Sequence, residues 1–338
     1  MAVLYLMFAA AAAGFSPQAA PKRALRDLFA SSNPDAVLAC PVDKEPLRSE
    51  RVVLGSVVRQ RKLSSAGLQY PENRVYTDLL PTAGRSSPIG VDELVSELGD
   101  VWASRVQTGL FRSPLTAFLY ERGWRDNFKR AGFPGIEKEF EEVQEFFGPA
   151  ARDGVVVDMS CGSGLMTRRL VKSGAYGRVL ALDYSEAMLT ETARRAREEG
   201  VSMEALTLCR ADVACLPLQS GAVDAMHAGA AMHCWPRLEE GLKEIRRVLK
   251  PSGGRFFATT FLQGAYGVNS RVAQQTGTGG GSFRFFEDEA ELKQLLVDAG
   301  FPEEGVTVRK EGGGCAIIKA EVLPSPPVED VEQTAQEE

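Results

Sequence analysis

The stretch Val155-Val-Val-Asp158-Met-Ser-Cys-Gly-Ser-Gly164 decides the fold. Three β-branched residues make a short buried strand, and a turn with glycines at 162 and 164 follows it. A helical stretch then runs over residues 165–172. A glycine-rich turn between a buried strand and a helix lets backbone approach a ligand at the carboxyl edge of a sheet. Working outward, residues 179–183 (VLALD) read as a second strand, and Ser185 stands at the N-cap of a helix through Ala187, Leu189, Ala193 and Ala196. Residues 206–212 form a third strand and 223–228 a fourth. Leu238, Leu242, Ile245 and Leu249 follow at helical spacing, then a strand over 255–260. Asp288-x-x-Glu291 is a capping box for a helix ended by Gly300, and strands over 306–309 and 316–320 close the set. Strands alternating with helices predict a parallel, doubly wound α/β sheet of seven strands.

Acids recur where these strands end. Asp158 closes the first strand, Asp183 closes the second 19 residues after Gly164, and Asp212 closes the third. A carboxylate after the second strand suits a ribose diol, and one after the third suits an adenine amino group. A dinucleotide site shares the second-strand acid but uses G-x-G-x-x-G, with the third glycine packing helix on strand. Here the residue three beyond Gly162 is Leu165, and Asp158 sits inside the strand end, where a dinucleotide fold needs no acid. The spacing favours S-adenosylmethionine over NAD.

The ordered segments 158–164, 182–188, 210–218 and 248–254 resemble the successive motifs of class I S-adenosylmethionine-dependent methyltransferases. Residues 111–125, 132–135 and 227–236 (HAGAAMHCWP) further resemble the chloroplast methyltransferases of plants, and the similarity extends from Leu110 to Ala320. The resemblance implies a Rossmann-like methyltransferase domain over 151–322. It implies that Asp158, Ser160, Gly162 and Gly164 line the methionine and ribose side of the cofactor. Asp183 would hold the ribose diol, Tyr184 or Met188 would cover the adenine, and Asp212 with the Val213 amide would read the adenine edge. His227, Ala228 and Gly229 would pass beneath the sulfonium. Ser160 departs from the pattern, since the broader class has a glycine there. Plain helix packing is the competing account of Met188, and a partly exposed strand-end aromatic that of Tyr184.

A sulfonium methyl is already activated, so a base is needed only where the acceptor must lose a proton. The chain has two histidines, both near the end of the fourth strand. His233, on the following loop, is the candidate catalytic residue, as base or orienting donor; a histidine hydrogen-bonded to backbone is the plainer alternative. No Asn-Pro-Pro-Tyr run follows that strand, which argues against the amino methylation that motif serves. Cys161 and Cys234 lie near the site as packing thiols.

Before the core domain, residues 37–81 are similar to the small zinc ribbon that precedes many methyltransferase domains. Only Cys40 matches a ligand; Asp43, Leu63 and Ala66 stand at the other three positions. A structural zinc wants four Cys or His ligands, so no zinc is expected. Residues 82–100 have linker composition, and 101–150 read as a helical lid. Residues 101–135 carry six basic side chains against two acidic, and 111–133 are aromatic and basic enough to touch a membrane surface peripherally. The acidic, Pro-rich tail over 323–338 has no apolar period.

Residues 3–13 form one apolar run of eleven, followed by small residues, Phe15 and a basic, acid-poor segment. Such a signal run plus transit-like stretch over 1–36 predicts delivery to the plastid, with a plain secretory signal as the alternative. No run reaches the roughly 18 apolar residues that span a bilayer. Six scattered cysteines without a CxxC pair give no disulfide framework. A net charge of −6 and pI near 5.3 argue against nucleic acid as the main partner. The expected acceptor is a small molecule, lipidic or prenylated; ribosomal RNA methylation and cofactor binding without turnover are the rival functions.

Overall fold

Val156 and Val157 point to opposite faces of the first core strand and enter two different hydrophobic cores. That two-residue alternation, repeated along the neighbouring strands, organises the molecule. The computed structural model describes residues 36–54, 57–84, 128–129, 131–263 and 284–323. The predicted presequence through residue 35, residues 85–127 of the linker and lid, and the tail from residue 324 lie outside the described residues. Most of the membrane-contact stretch 111–133 lies outside them too. No described helix is long and apolar enough to cross a membrane.

Four strands come from the N-terminal region: β1 (Arg48–Leu54), β2 (Val57–Leu63), β3 (Gln69–Glu72) and β4 (Thr77–Asp78). Helix α1 (Ile136–Phe147) precedes the core domain. There β5 (Val155–Met159), α2 (Leu165–Ser173), β6 (Arg178–Asp183), α3 (Glu186–Glu198), β7 (Leu206–Arg210) and β8 (Ala225–Gly229) alternate. Then come α4 (Leu238–Val248), β9 (Arg255–Phe261), α5 (Glu289–Asp298), β10 (Val306–Glu311) and β11 (Cys315–Glu321).

The eleven strands among the described residues form one sheet, in the order β1-β2-β3-β4-β7-β6-β5-β8-β9-β11-β10. The chain steps from β5 to β6 on one side and later to β8 on the other. The strand order therefore reverses between β5 and β8, where open α/β sheets place their ligand crevice. Two features depart from the sequence expectation. The last pair is antiparallel, because only residues 312–314 separate β10 from β11, too few for a parallel crossover. And the seven strands of the core domain are joined at the β7 edge by four more, through the parallel bridge of Thr77 and Asp78 to Cys209 and Arg210.

One face of the sheet buries Val157, Leu180, Leu182 and Met226 against Leu238, Leu242 and Ile245 of α4 and Leu292 and Leu296 of α5. Leu38, Cys40, Tyr70 and Leu79 from the N-terminal region share this core. The other face buries Val156, Ala181 and Phe257 against Val143 and Phe147 of α1, Met166 and Leu170 of α2, and Leu189 and Ala193 of α3. The predicted caps are present. Ser185 Oγ accepts the Met188 amide, and Asp288 Oδ1 accepts the Glu291 amide. The reciprocal arm of the second cap reaches one residue further than expected, Glu291 Oε2 accepting from the Glu287 amide.

Candidate functional site

Three successive kinks aim the turn after β5. Ser160, Gly162 and Gly164 all have positive φ, at 56°, 58° and 78°. For a glycine that costs nothing, whereas for Ser160 it is a strained conformation. Ser160 Oγ accepts a 3.0 Å hydrogen bond from the indole Nε1 of Trp235, which ties the turn to the loop after β8. Gly164 is required for a second reason: a Cβ there would come within 2.6 Å of Thr192 Cγ2. Thr192 Oγ1 in turn donates to the Gly162 carbonyl at 2.8 Å, clamping the turn against α3.

Asp183 ends β6 beside this turn. Its Oδ2 accepts the Gly162 amide at 2.9 Å and its Oδ1 accepts the Ser185 amide at 2.8 Å. Burial raises its carboxyl to about 6, against the pull of these backbone donors. Each carboxylate oxygen carries two lone pairs, so acceptor capacity remains for a ligand. Tyr184 is half-buried, with the Arg210 guanidinium 5.7 Å from its ring centre. Met188 is buried on the first turn of α3. Asp212 caps the short 3-10 turn Val213–Cys215 by accepting the Ala214 amide at 2.9 Å, and its other oxygen pairs with Arg237 at 2.8 Å. Val213 itself is buried, packed near Gly241 of α4.

Asp158 and His227 face each other in the register of β5 and β8. His227 Nδ1 lies 2.8 Å from Asp158 Oδ1, and its Nε2 lies 3.0 Å from Oε1 of Glu139, a residue of α1 that the sequence alone did not single out. Both ring nitrogens thus face carboxylate oxygens, an arrangement that favours a proton on each. Burial works against that charge, but the two carboxylate hydrogen bonds outweigh it and raise the histidine to about 9. Asp158 Oδ2 also accepts from Thr167 Oγ1 at 2.5 Å. Ala228 is fully buried and Gly229 half-buried at the end of the same strand. One signal for Glu139 was available: Glu139, Val143 and Phe147 are the buried residues of α1, at helical spacing, so the acid interrupts an apolar stripe.

His233 lies in the short 3-10 turn Met232–Cys234, edge-on to the Phe261 ring at 4.7 Å. Burial alone lowers it to about 3, so its imidazole stays neutral across the physiological range. Burial pushes the Cys161 and Cys234 thiols up, which keeps both protonated. In the N-terminal region Cys40 Sγ sits 3.2 Å from the Tyr70 hydroxyl, and Asp43 Oδ1 accepts the Glu45 amide. Leu63 ends β2, and Ala66 lies in the turn that follows. This donor set does not fit zinc, and among the described residues no group of three His, Cys, Asp or Glu side chains is placed to hold a metal.

The turn and Asp183 do fit a nucleoside-bearing group: a cradle with no side chain at Gly162 or Gly164, and a buried carboxylate with acceptor capacity to spare.

A methyltransferase-domain profile matches residues 156–253. The chain is 43% identical over 233 residues to an uncharacterized chloroplastic methyltransferase of Arabidopsis thaliana and 51% identical over 159 residues to a second one. These alignments cover 67% and 46% of this chain, and 62% and 44% of the two relatives, so the chain spans only part of their length. It is also 34% identical over 182 residues to the ubiquinone/menaquinone biosynthesis C-methyltransferase of Acidiphilium cryptum, an alignment covering 48% of this chain and 71% of that protein. Among solved structures, a phosphoethanolamine N-methyltransferase of Haemonchus contortus in complex with S-adenosyl-L-methionine shares the fold. Its TM-score is 0.52 at 14% identity, with 82% of this chain and 71% of that one covered. With the glycine turn, the strand-end acids and a relative matched over most of its length, the chain belongs to the class I S-adenosylmethionine-dependent methyltransferases.

Proposed function

We propose that this chain transfers a methyl group from S-adenosylmethionine to a small, lipidic or prenylated acceptor in the plastid. The observation that carries the cofactor side is the Asp183 carboxylate, held by the Gly162 and Ser185 amides beside the glycine turn. Support for the acceptor class is the likeness to a quinone C-methyltransferase, and support for the compartment is the likeness to two chloroplastic proteins. When bound, S-adenosylmethionine supplies a methyl group already activated on a sulfonium. The protein's tasks are then orientation and exclusion of water.

In this account Asp183 accepts from the ribose hydroxyls, while Asp158, Ser160, Gly162 and Gly164 shape the methionine and ribose side. Tyr184 and Met188 cover the adenine, and Asp212 with the Val213 amide reads its edge. His227, Ala228 and Gly229 form the floor under the reacting methyl. His233 is the acceptor-side residue. Held neutral by burial, it is too weak a base for a demanding proton transfer, and orienting the acceptor is the role it suits. Residues 151–322 form the transfer domain and 101–150 its lid, after a presequence over 1–36, a zinc-free ribbon remnant over 37–81 and a linker over 82–100.

Incubating the protein with methyl-labelled S-adenosylmethionine and plastid extracts tests this reading. Label should enter an organic-soluble small molecule. Label confined to RNA, or cofactor binding with no transfer to any fraction, would overturn it.

A further inference from the structure

Between the glycine turn and the end of β8 runs a chain of buried polar groups that holding a cofactor does not by itself require. It begins at Asp158 and passes through His227 to Glu139, three residues each no more than 2% exposed. From there it continues to Thr259 of β9, whose Oγ1 donates to Glu139 Oε1 at 3.3 Å. The same Oγ1 accepts the Ala230 amide at 2.9 Å. Gly229 makes this passage possible, because a Cβ there would come within 2.8 Å of both Glu139 Oε1 and His227 Cε1. Ala230 follows at φ 49°, a strained conformation that the Thr259 hydrogen bond holds in place.

Where the chain lies matters as much as what it contains. It crosses the sheet between β5 and β8, the point of reversal in strand order. One end fixes the acid behind the glycine turn, and the other fixes the turn that follows β8. Well-packed apolar residues would anchor α1 to the sheet at least as firmly as a buried ion triad. The ionic solution at this place points to control of geometry. Resting on the reading of this crevice as the cofactor site, we propose that Glu139 is a positioning residue. Through His227 it fixes the Asp158 carboxylate, and through Thr259 it fixes the Gly229–Ala230 turn under the reacting methyl.

Removing the charge of Glu139 leaves His227 with one carboxylate partner, so its second proton is lost at lower pH. Among the described residues, the groups facing the histidine are few. Asp158 of β5 and Glu139 of α1 touch it, and the Phe257 ring of β9 stacks on it at 6.1 Å. Cys315 of β11 lies near Glu139, and Asp183 and Cys161 lie near Asp158; burial keeps both thiols uncharged. Within this set, burial raises Asp183 to about 6, and the two carboxylate partners raise His227 to about 9 against burial.

The test is Glu139→Gln, which keeps the size and loses the charge. Imidazole NMR is simple with two histidines in the chain, and S-adenosylhomocysteine affinity is followed by calorimetry from pH 5 to 10. In the wild type, His227 should titrate near 9 and affinity should fall on the alkaline side with it. In Glu139→Gln both midpoints should move down together by at least about one unit, so that roughly tenfold less alkali suffices to weaken binding. The acid limb set by Asp183 should stay in place. An alkaline limb that does not move in the folded variant, with only thermal stability reduced, overturns the proposal and leaves the cofactor site standing. A wild-type protein that binds no S-adenosylhomocysteine at any pH sinks both. If Glu139→Gln does not fold, two other results decide. His227 neutral at pH 7 in the wild type overturns the proposal, as does unchanged affinity in Thr259→Val, which cuts the second arm and keeps the charges.

Discussion

At Asp183 two demands conflict. Burial favours the protonated acid, while the ribose diol proposed to bind there needs the ionised acceptor. With the carboxyl raised to about 6 in the free protein, cofactor binding must expel a proton at acid pH, so affinity is lost as pH falls through 6. Calorimetry in buffers of different ionisation enthalpy should find proton release on S-adenosylhomocysteine binding near pH 6 and almost none at pH 8. Asp183→Ala should weaken that binding by about 1–3 kcal/mol through loss of charge-assisted hydrogen bonds. Ser160 sets a second opposition, between a left-handed backbone costing about 1–2 kcal/mol and a hydrogen bond from Trp235 worth about 0.5–1.5 kcal/mol. Ser160→Gly loses both, so its stability should stay within about 1 kcal/mol of wild type. Ser160→Ala keeps the strain and loses the bond, and urea unfolding should rank it below Ser160→Gly. The reverse ranking would mean that the left-handed turn is not strained.

Among the elements, β4 does more than its two residues suggest. Thr77 and Asp78 join the N-terminal hairpins to β7, and Asp78 pairs with Arg210 at 3.0 Å. Tyr70, fully buried, shares one core with α4. The N-terminal region should therefore unfold together with the core domain. Tyr70→Ala should cost about 3–5 kcal/mol and lower a single transition, whereas Tyr70→Phe, which loses only the contact to Cys40, should cost about 1 kcal/mol. Two separate transitions would show an independent appendage. None of this joining was legible in the sequence, because a two-residue strand carries no period and its partner lies more than a hundred residues away. The β5–α2–β6–α3–β7 run was legible, since each strand and helix there has its own apolar repeat. The antiparallel placement of β11 between β9 and β10 was missed for a different reason. Apolar runs mark strands but not their direction, and the three-residue turn at 312–314 was the cue.

Over the whole molecule, the legible part of the site was the part that topology alone brings together. In parallel strands the carboxyl ends share one edge, so Asp158, Asp183 and Asp212 converge from spacing alone. Glu139 joins them only because α1 packs across the sheet, a tertiary fact signalled by no more than an acid on an apolar stripe. Its partner His227 also gives the fold a pH signature. A histidine raised from 6.5 to about 9 contributes stability that is fully present below about 6.5 and is lost as pH rises through 9. Thermal unfolding should therefore move to lower temperature between pH 7 and 10, and His227→Gln should flatten that alkaline dependence. The cofactor claim underlies every one of the binding expectations. It is tested most directly by titrating the wild-type protein at pH 7.5 with S-adenosylhomocysteine and, separately, with NAD. Saturable binding of S-adenosylhomocysteine at one site per chain, weakened in Asp183→Ala, with no response to NAD, is the predicted result. Binding of NAD with no response to S-adenosylhomocysteine would contradict it.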